Sequence, residues 1–165
     1  GVQTCALPIS GTIDSNIRYG KPEITDAQVK EAAEVAQATE FIDTKPEKYE
    51  SPVSQGGTNV SGGQKQRLSI ARAIAKDPEI FIFDDSFSAL DFKTDSQLRK
   101  ALKEYTKDAT TVIVAQRIST ILGADQIIVL DDGHMAGIGT HKELMANCEV
   151  YQQIARSQLS EEELA

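Results

Sequence analysis

A glycine-containing stretch at a predicted helix start offers the clearest chemistry in this sequence. Ser61 is a favoured N-cap residue, and Gln64 stands three positions later, which is the spacing of a capping box. Gly62 and Gly63 add no side chains to the first turn, so its free N–H groups and the positive end of the helix dipole face outward. A helix start of this kind can hold a phosphate oxygen. Taken alone, the stretch could equally be a flexible linker followed by an ordinary cap.

Two adjacent carboxylates follow a short apolar run. Asp84 and Asp85 come directly after Ile80–Phe83, which is predicted to be a buried strand. Parallel α/β sheets bind ligands at the carboxyl ends of their strands, so carboxylates at this position could act on a ligand. In isolation, the pair could also form a turn or cap the next helix.

Repeated helix-start signals predict the helices that would position these residues. Ser or Thr stands three positions before Gln or Glu at four places, and each pair is followed by apolar residues at helical spacing. The four pairs are Thr25 with Gln28, Ser61 with Gln64, Thr94 with Gln97, and Thr140 with Glu143. The helix that follows Ser61 is expected to end at Asp77-Pro78.

Short apolar runs predict the strands, which are Ile80–Phe83, Thr111–Ala115 and Gln126–Leu130. Their continuous apolarity is typical of parallel strands covered on both faces. Asp132-Gly133 is a turn signal, so residues 134–138 are expected to return as a hairpin strand. The order strand, helix, strand, short helix, strand, hairpin, helix indicates an α/β layer fold.

Composition narrows the classes of function. The 165 residues include 17 Lys+Arg and 25 Asp+Glu, and the resulting net charge of −8 argues against a broad nucleic-acid surface. Cys5 and Cys148 form no pair at metal-ligand or disulfide spacing, which fits a reducing compartment. His134 and His141 are expected on a surface turn and a helix start rather than on a metal. No run approaches the roughly 18 consecutive apolar residues of a membrane span.

Taken in order, these stretches resemble the nucleotide-binding domain of the ABC ATPase family, specifically that of an ABC exporter. The resemblance covers residues 10–158. Residues 60–67 (VSGGQKQR) resemble the signature motif, residues 80–85 (IFIFDD) the Walker B strand, and residues 88–91 (SALD) the D-loop. Residues 114–120 occupy the switch-histidine region. Residues 10–17 and 139–144 resemble exporter segments that follow the Q-loop and the last hairpin.

The resemblance implies a P-loop NTPase-like α/β fold with a parallel-sheet core. Residues 10–78 would form a helical subdomain with the signature motif. Residues 79–147 would form the half of the ATPase core that carries Walker B, the D-loop and the switch. Residues 148–165 would be a C-terminal helix and a tail that frays.

One motif of the family is absent from the sequence. A phosphate loop reads G-x-x-x-x-G-K-[ST], but Pro22 follows Gly20-Lys21, and Ser15 stands where the first glycine should be. We therefore expect the Walker A half to lie upstream of this chain and the isolated chain not to hydrolyse ATP. Residues 1–9 are expected to be foreign sequence or a damaged Q-loop. The family's Q-loop glutamine should fall at residue 4, which is a threonine here, and Gln3 lies one place before it.

The resemblance also implies roles for single residues, with ATP and Mg²⁺ as cofactors. Asp84 would assist Mg²⁺ coordination, as Walker B aspartates do. Asp85 stands where competent members have a glutamate that polarises the attacking water. It is one methylene shorter, and a misplacement of about 1 Å can cost about 10²-fold in rate. The other residues assigned to the nucleotide are Ser61, Gly62, Gly63, Gln64 and Asp91.

Gln116 is a second departure from the family, which usually has histidine there to contact the γ-phosphate and orient the water. Glutamine can donate a hydrogen bond from its amide, but it cannot carry the positive charge that histidine can. Together with Asp85, it predicts a degenerate site that binds nucleotide and hydrolyses it weakly.

The partners follow from the same resemblance. In the family, two nucleotide-binding domains pair head to tail, and each ATP lies between the Walker motifs of one and the signature of the other. The intact signature of this chain would complete its partner's site. A homodimer would have two poor sites, so a hetero-partner is expected, as in heterodimeric multidrug-type exporters.

The expected location is the cytoplasmic face of the plasma membrane, held there by a transmembrane domain of the same full-length chain. Two other interpretations stay open. One is a soluble ABC ATPase of the DNA repair or translation type, and the other is a nonfunctional gene fragment. The exporter-like residues 139–144 and the acidic charge argue against the soluble ATPase.

Overall fold

The computed structural model describes residues 10–160, which divide after Val114 into two compact units with separate hydrophobic cores. The predictions made for residues 1–9, and the fraying expected at Glu161–Glu163, concern residues outside that range. None of the helices formed by the described residues is long and apolar enough to cross a membrane.

Helices dominate the first half of the first unit. Strand β1 (Gly11–Thr12) pairs antiparallel with β2 (Pro52–Val53). This pairing brings together the two ends of the segment 13–51, which contains three α-helices. The helices of this part are α1 (Ile13–Ile17), α2 (Asp26–Val35), α3 (Thr39–Asp43) and α4 (Gly62–Ala75), with 3-10 turns at Lys48–Glu50 and Gln55–Gly57.

Helix α4 is locked into this unit by both apolar and polar contacts. Leu68 and Ile74 are buried in the core, at 0 % and 1 % exposure. Arg72 is also buried, and its guanidinium donates to the backbone oxygen and to the side-chain oxygen of Asn16, both at 2.7 Å. Burial lowers the pKa of Arg72 from its ordinary value. These contacts fix α4 against α1.

Three of the four predicted capping boxes are confirmed, at Thr25, Ser61 and Thr140. The prediction at Thr94 is wrong. Helix α5 (Phe92–Tyr105) begins earlier, because the Asp91 carboxylate accepts a hydrogen bond from the backbone N–H of Thr94, at 3.0 Å. Aspartate is as good an N-cap as threonine, so Asp91 rather than Thr94 caps the helix. Thr12 forms a further box, closed by Ser15 rather than by Gln or Glu.

The parallel strand pair is confirmed. Strand β3 (Ile80–Asp84) pairs with β4 (Thr110–Val114) in parallel, from Ile80 opposite Thr110 to Asp84 opposite Val114. The expected coverage of both faces is wrong. Phe81 and Phe83 join the core, whereas Val112 and Val114 are about half exposed. The two strands pack one face on the helices, and no second layer of this unit's described residues covers the other face.

The second unit is built on a hairpin. Strands β5 (Ile127–Asp131) and β6 (His134–Gly139) pair antiparallel, with the predicted turn at Asp132-Gly133, where both residues have positive φ. The expectation that Gln126–Leu130 lies in a parallel sheet is therefore wrong for the described residues. A continuous apolar run predicts a strand that is buried on both faces. Here burial alternates instead, because Ile127 and Val129 are buried while Ile128 and Leu130 are exposed.

Three helices cover the inner face of this hairpin, namely α6 (Ile118–Ile121), α7 (His141–Asn147) and α8 (Glu149–Gln158). Tyr151 and Ala155 of α8 are buried at 1 % and 0 % exposure. The part of the tail that the structure describes is therefore packed rather than frayed. His141 lies at the start of α7, and its Nδ1 is 2.7 Å from the hydroxyl of Tyr151.

Candidate functional site

The start of α4 is an open, well-defined helix N-terminus. The Ser61 hydroxyl oxygen accepts from the Gln64 backbone N–H at 3.3 Å, and Gln64 Oε1 accepts from the Ser61 N–H at 3.0 Å. Ser61 and Gly62 are exposed to solvent. The first turn of this 14-residue helix holds no acidic residue that would oppose an anion. The backbone here can therefore hold a phosphate oxygen.

The loop after β3 approaches both glycines of this start, and its approach to Gly63 is too close for a side chain there. A Cβ added at Gly62 would lie 3.5 Å from the Ala89 Cβ, and one added at Gly63 would lie 3.0 Å from the Ala89 carbonyl oxygen. A side chain at residue 63 would thus push the loop away. The start of α4 and residues 88–91 meet at this point.

The carboxylates lie at the carboxyl end of β3, as predicted. Asp84 is the last residue of the strand and is half-buried, and Asp85 is exposed. The Asp85 N–H donates to the Val114 carbonyl at 3.3 Å, and an Asp85 carboxylate oxygen accepts from the Ser88 hydroxyl at 3.2 Å. Asp85 has φ +48°, in the left-handed region that aspartate tolerates better than most residues.

The chemistry of these two side chains fits Mg²⁺. Magnesium in phosphoryl-transfer sites is usually held by one or two carboxylates together with water and phosphate oxygens. Within residues 10–160 there is no group of three or more His, Cys, Asp or Glu side chains arranged to hold a metal on its own. The pair at the end of β3 suits an ion that arrives with a nucleotide.

Asp91, predicted to contact nucleotide, serves α5 as its N-cap. Its carboxylate accepts from the Thr94 hydroxyl at 2.7 Å and from the Thr94 backbone N–H. These two hydrogen bonds, the side-chain one first, lower the pKa of Asp91. The side chain is exposed, so the cap leaves it at the surface beside the signature helix.

Gln116 belongs to the second unit and is described there by itself. Its backbone carbonyl accepts a hydrogen bond from Gln158 Nε2, and Gln158 Oε1 accepts from the backbone N–H of Ile118, both at 2.9 Å. The amide of Gln158 therefore holds the backbone on both sides of Arg117. Sequence reasoning does not single out Gln158, because its contacts are with residues about 40 positions away.

Sequence reasoning also assigned no role to Gln66. The structure places its side-chain amide between α4 and the Asp85–Ala89 loop, with hydrogen bonds to three residues of that loop. A signal was available, since Gln66 is a polar residue on the helix face that carries Gly62 four positions before it and buried Ile70 four positions after it.

Comparison with known proteins identifies the family of this chain. The family model described as ABC transporter matches residues 6–88, about half of the chain. The chain belongs to the ABC transporter family, and its nucleotide-binding domain is the part represented here. The resemblance drawn from the sequence is thereby confirmed at the level of the family.

Three relatives are informative. An "Uncharacterized ABC transporter ATP-binding protein" of Mycobacterium tuberculosis is 47% identical over 152 residues, which are 90% of this chain and 26% of that protein. A "Putative multidrug export ATP-binding/permease protein" of Staphylococcus aureus is 45% identical over 153 residues, which are 93% of this chain and 26% of that protein. The solved structure of a bacterial Atm1-family ABC exporter with ATP bound matches with a TM-score of 0.89 and 34% identity, over 96% of this chain and 28% of the other.

The chain thus spans about a quarter of the length of these relatives. Its fold is that of an ABC ATPase, with mixed helices and sheets.

Proposed function

We propose that this chain is the ATP-driven motor part of an ABC exporter of the multidrug or lipid type. The start of α4 carries the proposal, because it is capped by Ser61 and Gln64, open to solvent and free of side chains at Gly62 and Gly63. In this role the start of α4 binds the γ-phosphate of an ATP whose Walker motifs belong to a head-to-tail partner. Binding at that interface drives export across the membrane.

The ATP site formed by the chain's own Walker residues is degenerate in this proposal. Mg²⁺, when bound there, supplies positive charge against the phosphate oxygens. Asp84 holds it from the end of β3. Asp85 carries the hydrolytic carboxylate, but its side chain is one methylene short. Gln116 takes the switch position without the charge that a histidine could carry.

A hetero-partner with an intact Walker site follows from this asymmetry. The signature of this chain then completes the productive site, and the partner's signature covers the weak one. The phosphate loop of this subunit is contributed by a part of the domain outside these 165 residues. A transmembrane domain of the same full-length protein holds the motor at the cytoplasmic face of the plasma membrane. The names of the relatives, which include a multidrug export protein and an Atm1-family exporter, favour a membrane exporter over a soluble ABC ATPase of the repair or translation type.

The test is Ser61→Arg in a complete heterodimeric exporter that carries this segment. The substitution places a bulky cation at the phosphate position and removes the cap. Loss of a cap costs about 1 kcal/mol, which leaves a domain of several kcal/mol folded. Loss of a donor to the transition state costs about 10²–10³-fold in rate, so we expect ATPase turnover to fall by that amount with little change in the thermal melt.

Thr25→Arg is the matched control. Thr25 caps α2 through the same reciprocal box, with Gln28 as its partner, and is exposed. It should lose the same cap energy and keep near-normal turnover. Near-normal turnover in Ser61→Arg, with a normal melt, would reduce the start of α4 to a cap and a turn.

A further inference from the structure

Gln66 is buried, at 8 % exposure, in the second turn of α4. It lies four residues after Gly62 and therefore on the same face of the helix. That face packs on the loop that runs from Asp85 to Ala89. The side chain thus stands between the phosphate-binding helix start and the loop that carries the hydrolytic carboxylate.

The contacts of the amide settle its orientation. Ala89 presents a backbone N–H, which must face the amide oxygen, and Oε1 accepts from it at 2.9 Å. Asp85 presents a carbonyl oxygen, which must face the amide nitrogen, and Nε2 donates to it at 3.2 Å. A flipped amide would set donor against donor and acceptor against acceptor. Both the amide oxygen and the amide nitrogen of Gln66 are therefore used at this position.

A second path from Gln66 reaches the carboxylate of Asp85 itself. Nε2 also lies 3.1 Å from the Ser88 hydroxyl oxygen, which can accept from it. The same hydroxyl is 3.2 Å from both the carbonyl and a carboxylate oxygen of Asp85, and its single proton can serve either. Gln66 thus holds Asp85 directly at the backbone and, through Ser88, at the side chain.

We propose that Gln66 is a positioning residue that holds the Asp85 carboxylate and the D-loop in register with the start of α4. It thereby couples the ATP site that this chain completes for its partner to the ATP site that Asp85 serves. The inference rests on the proposed function, since that function gives the start of α4 and Asp85 their separate nucleotides.

The test uses the complete heterodimer with the partner's own catalytic carboxylate replaced by its amide, so that single-turnover hydrolysis reports on the Asp85 site. Gln66→Glu keeps the shape and the acceptor for Ala89 but loses both donated bonds. We expect the hydrolysis rate constant to fall about tenfold, with the Kd for Mg-ATP within about twofold. A merely structural residue would alter the Kd and the melt along with the rate. Gln97→Glu, an exposed glutamine of α5, is the matched control and should change neither quantity.

Gln66→Met serves as a second variant, which keeps the length of the side chain and removes every hydrogen bond. If either variant binds Mg-ATP normally and hydrolyses it at the original rate, the proposal is overturned. Ser88→Ala should lower the rate by a similar factor, and the double variant should be no slower than the slower single one. Losses that multiply would overturn the relay through Ser88. Ser61→Arg in the intact dimer separates the two proposals, because it tests the function without involving Gln66.

Discussion

Asp85 is held by hydrogen bonds at its backbone and at one oxygen of its side chain. Its N–H is bonded to Val114 of β4, its carbonyl accepts from Gln66, and its carboxylate accepts from Ser88. The backbone of Asp85 lies in the left-handed region, with φ +48°. The distance from Asp85 to a bound nucleotide therefore depends chiefly on the length of its side chain.

Lengthening that side chain should restore hydrolysis. In a complete heterodimer, Asp85→Glu is expected to raise turnover at the Asp85 site by roughly 10- to 100-fold, because a misplacement of about 1 Å costs about that much. Asp85→Glu combined with Gln116→His should do better, since histidine adds a group that can be charged. Site-resolved trapping of nucleotide measures both variants.

Asp132→Glu is the control for this exchange. Asp132 is an exposed aspartate that also has positive φ, in the turn between β5 and β6, so it bears the same backbone cost without the same chemistry. The ATPase turnover of the Asp132→Glu variant should equal that of the unmodified heterodimer. An unchanged rate in both Asp85 variants would show that reach does not limit this site.

Among the elements, the helix starts are the most regular feature of the chain. In α7, Glu143 Oε2 accepts from the Thr140 backbone N–H at 2.8 Å and from its hydroxyl at 2.9 Å. The backbone bond is the larger cause and the hydroxyl the second, and together they lower the pKa of Glu143 from its ordinary value of 4.5. A lowered folded-state pKa contributes stability that is present above the unfolded pKa and is lost as the pH falls through the folded one.

Glu143→Gln tests this linkage, because glutamine keeps an acceptor for the Thr140 N–H but does not titrate. We expect the wild-type chain to be the more stable of the two at pH 7. The difference should shrink as the pH falls below about 4.5, where Glu143 of the unfolded chain becomes protonated, and should be lost once the pH has passed the lower pKa of the folded chain. Urea unfolding at a series of pH values measures it, and two parallel stability curves would contradict the assignment.

The elements also show where sequence reasoning succeeds and where it stops. Capping residues act within one turn, so Ser61 with Gln64 and Thr140 with Glu143 could be predicted from spacing alone. The order of strands and helices after residue 79 was also predictable. The coverage of strand faces was not, because the exposure of Val112 depends on which elements pack nearby rather than on its own neighbours in the chain.

The candidate site divides in the same way. Ser61, Gly62, Gly63 and the two aspartates were found from local pattern and from the family resemblance. Gln66 and Gln158 were missed, because their function lies in hydrogen bonds to residues about 20 and 40 positions away. The helical spacing of Gln66 with Gly62 and Ile70 indicates a packed face, but it does not identify the partners of the Gln66 amide.

At the scale of the whole molecule, the described elements supply the signature and the carboxylates but no phosphate loop occurs in the sequence. We expect no measurable binding of Mg-ATP to the 165-residue chain at micromolar concentration, because the backbone and lysine that hold the β- and γ-phosphates are missing. Isothermal calorimetry measures this, with a complete ABC nucleotide-binding domain as the positive control. Saturable micromolar binding by the chain would show that the remaining motifs suffice.

The two hydrogen bonds between the Gln158 side chain and residues 116 and 118 have a consequence for how such a protein can diversify. Gln158 is the last residue of α8 and lies far from Arg117 in the sequence. Yet its amide holds the backbone on both sides of Arg117. A substitution at residue 158 can therefore shift the backbone around Arg117, so this stretch of the chain can diversify through a residue about 40 positions away in the sequence.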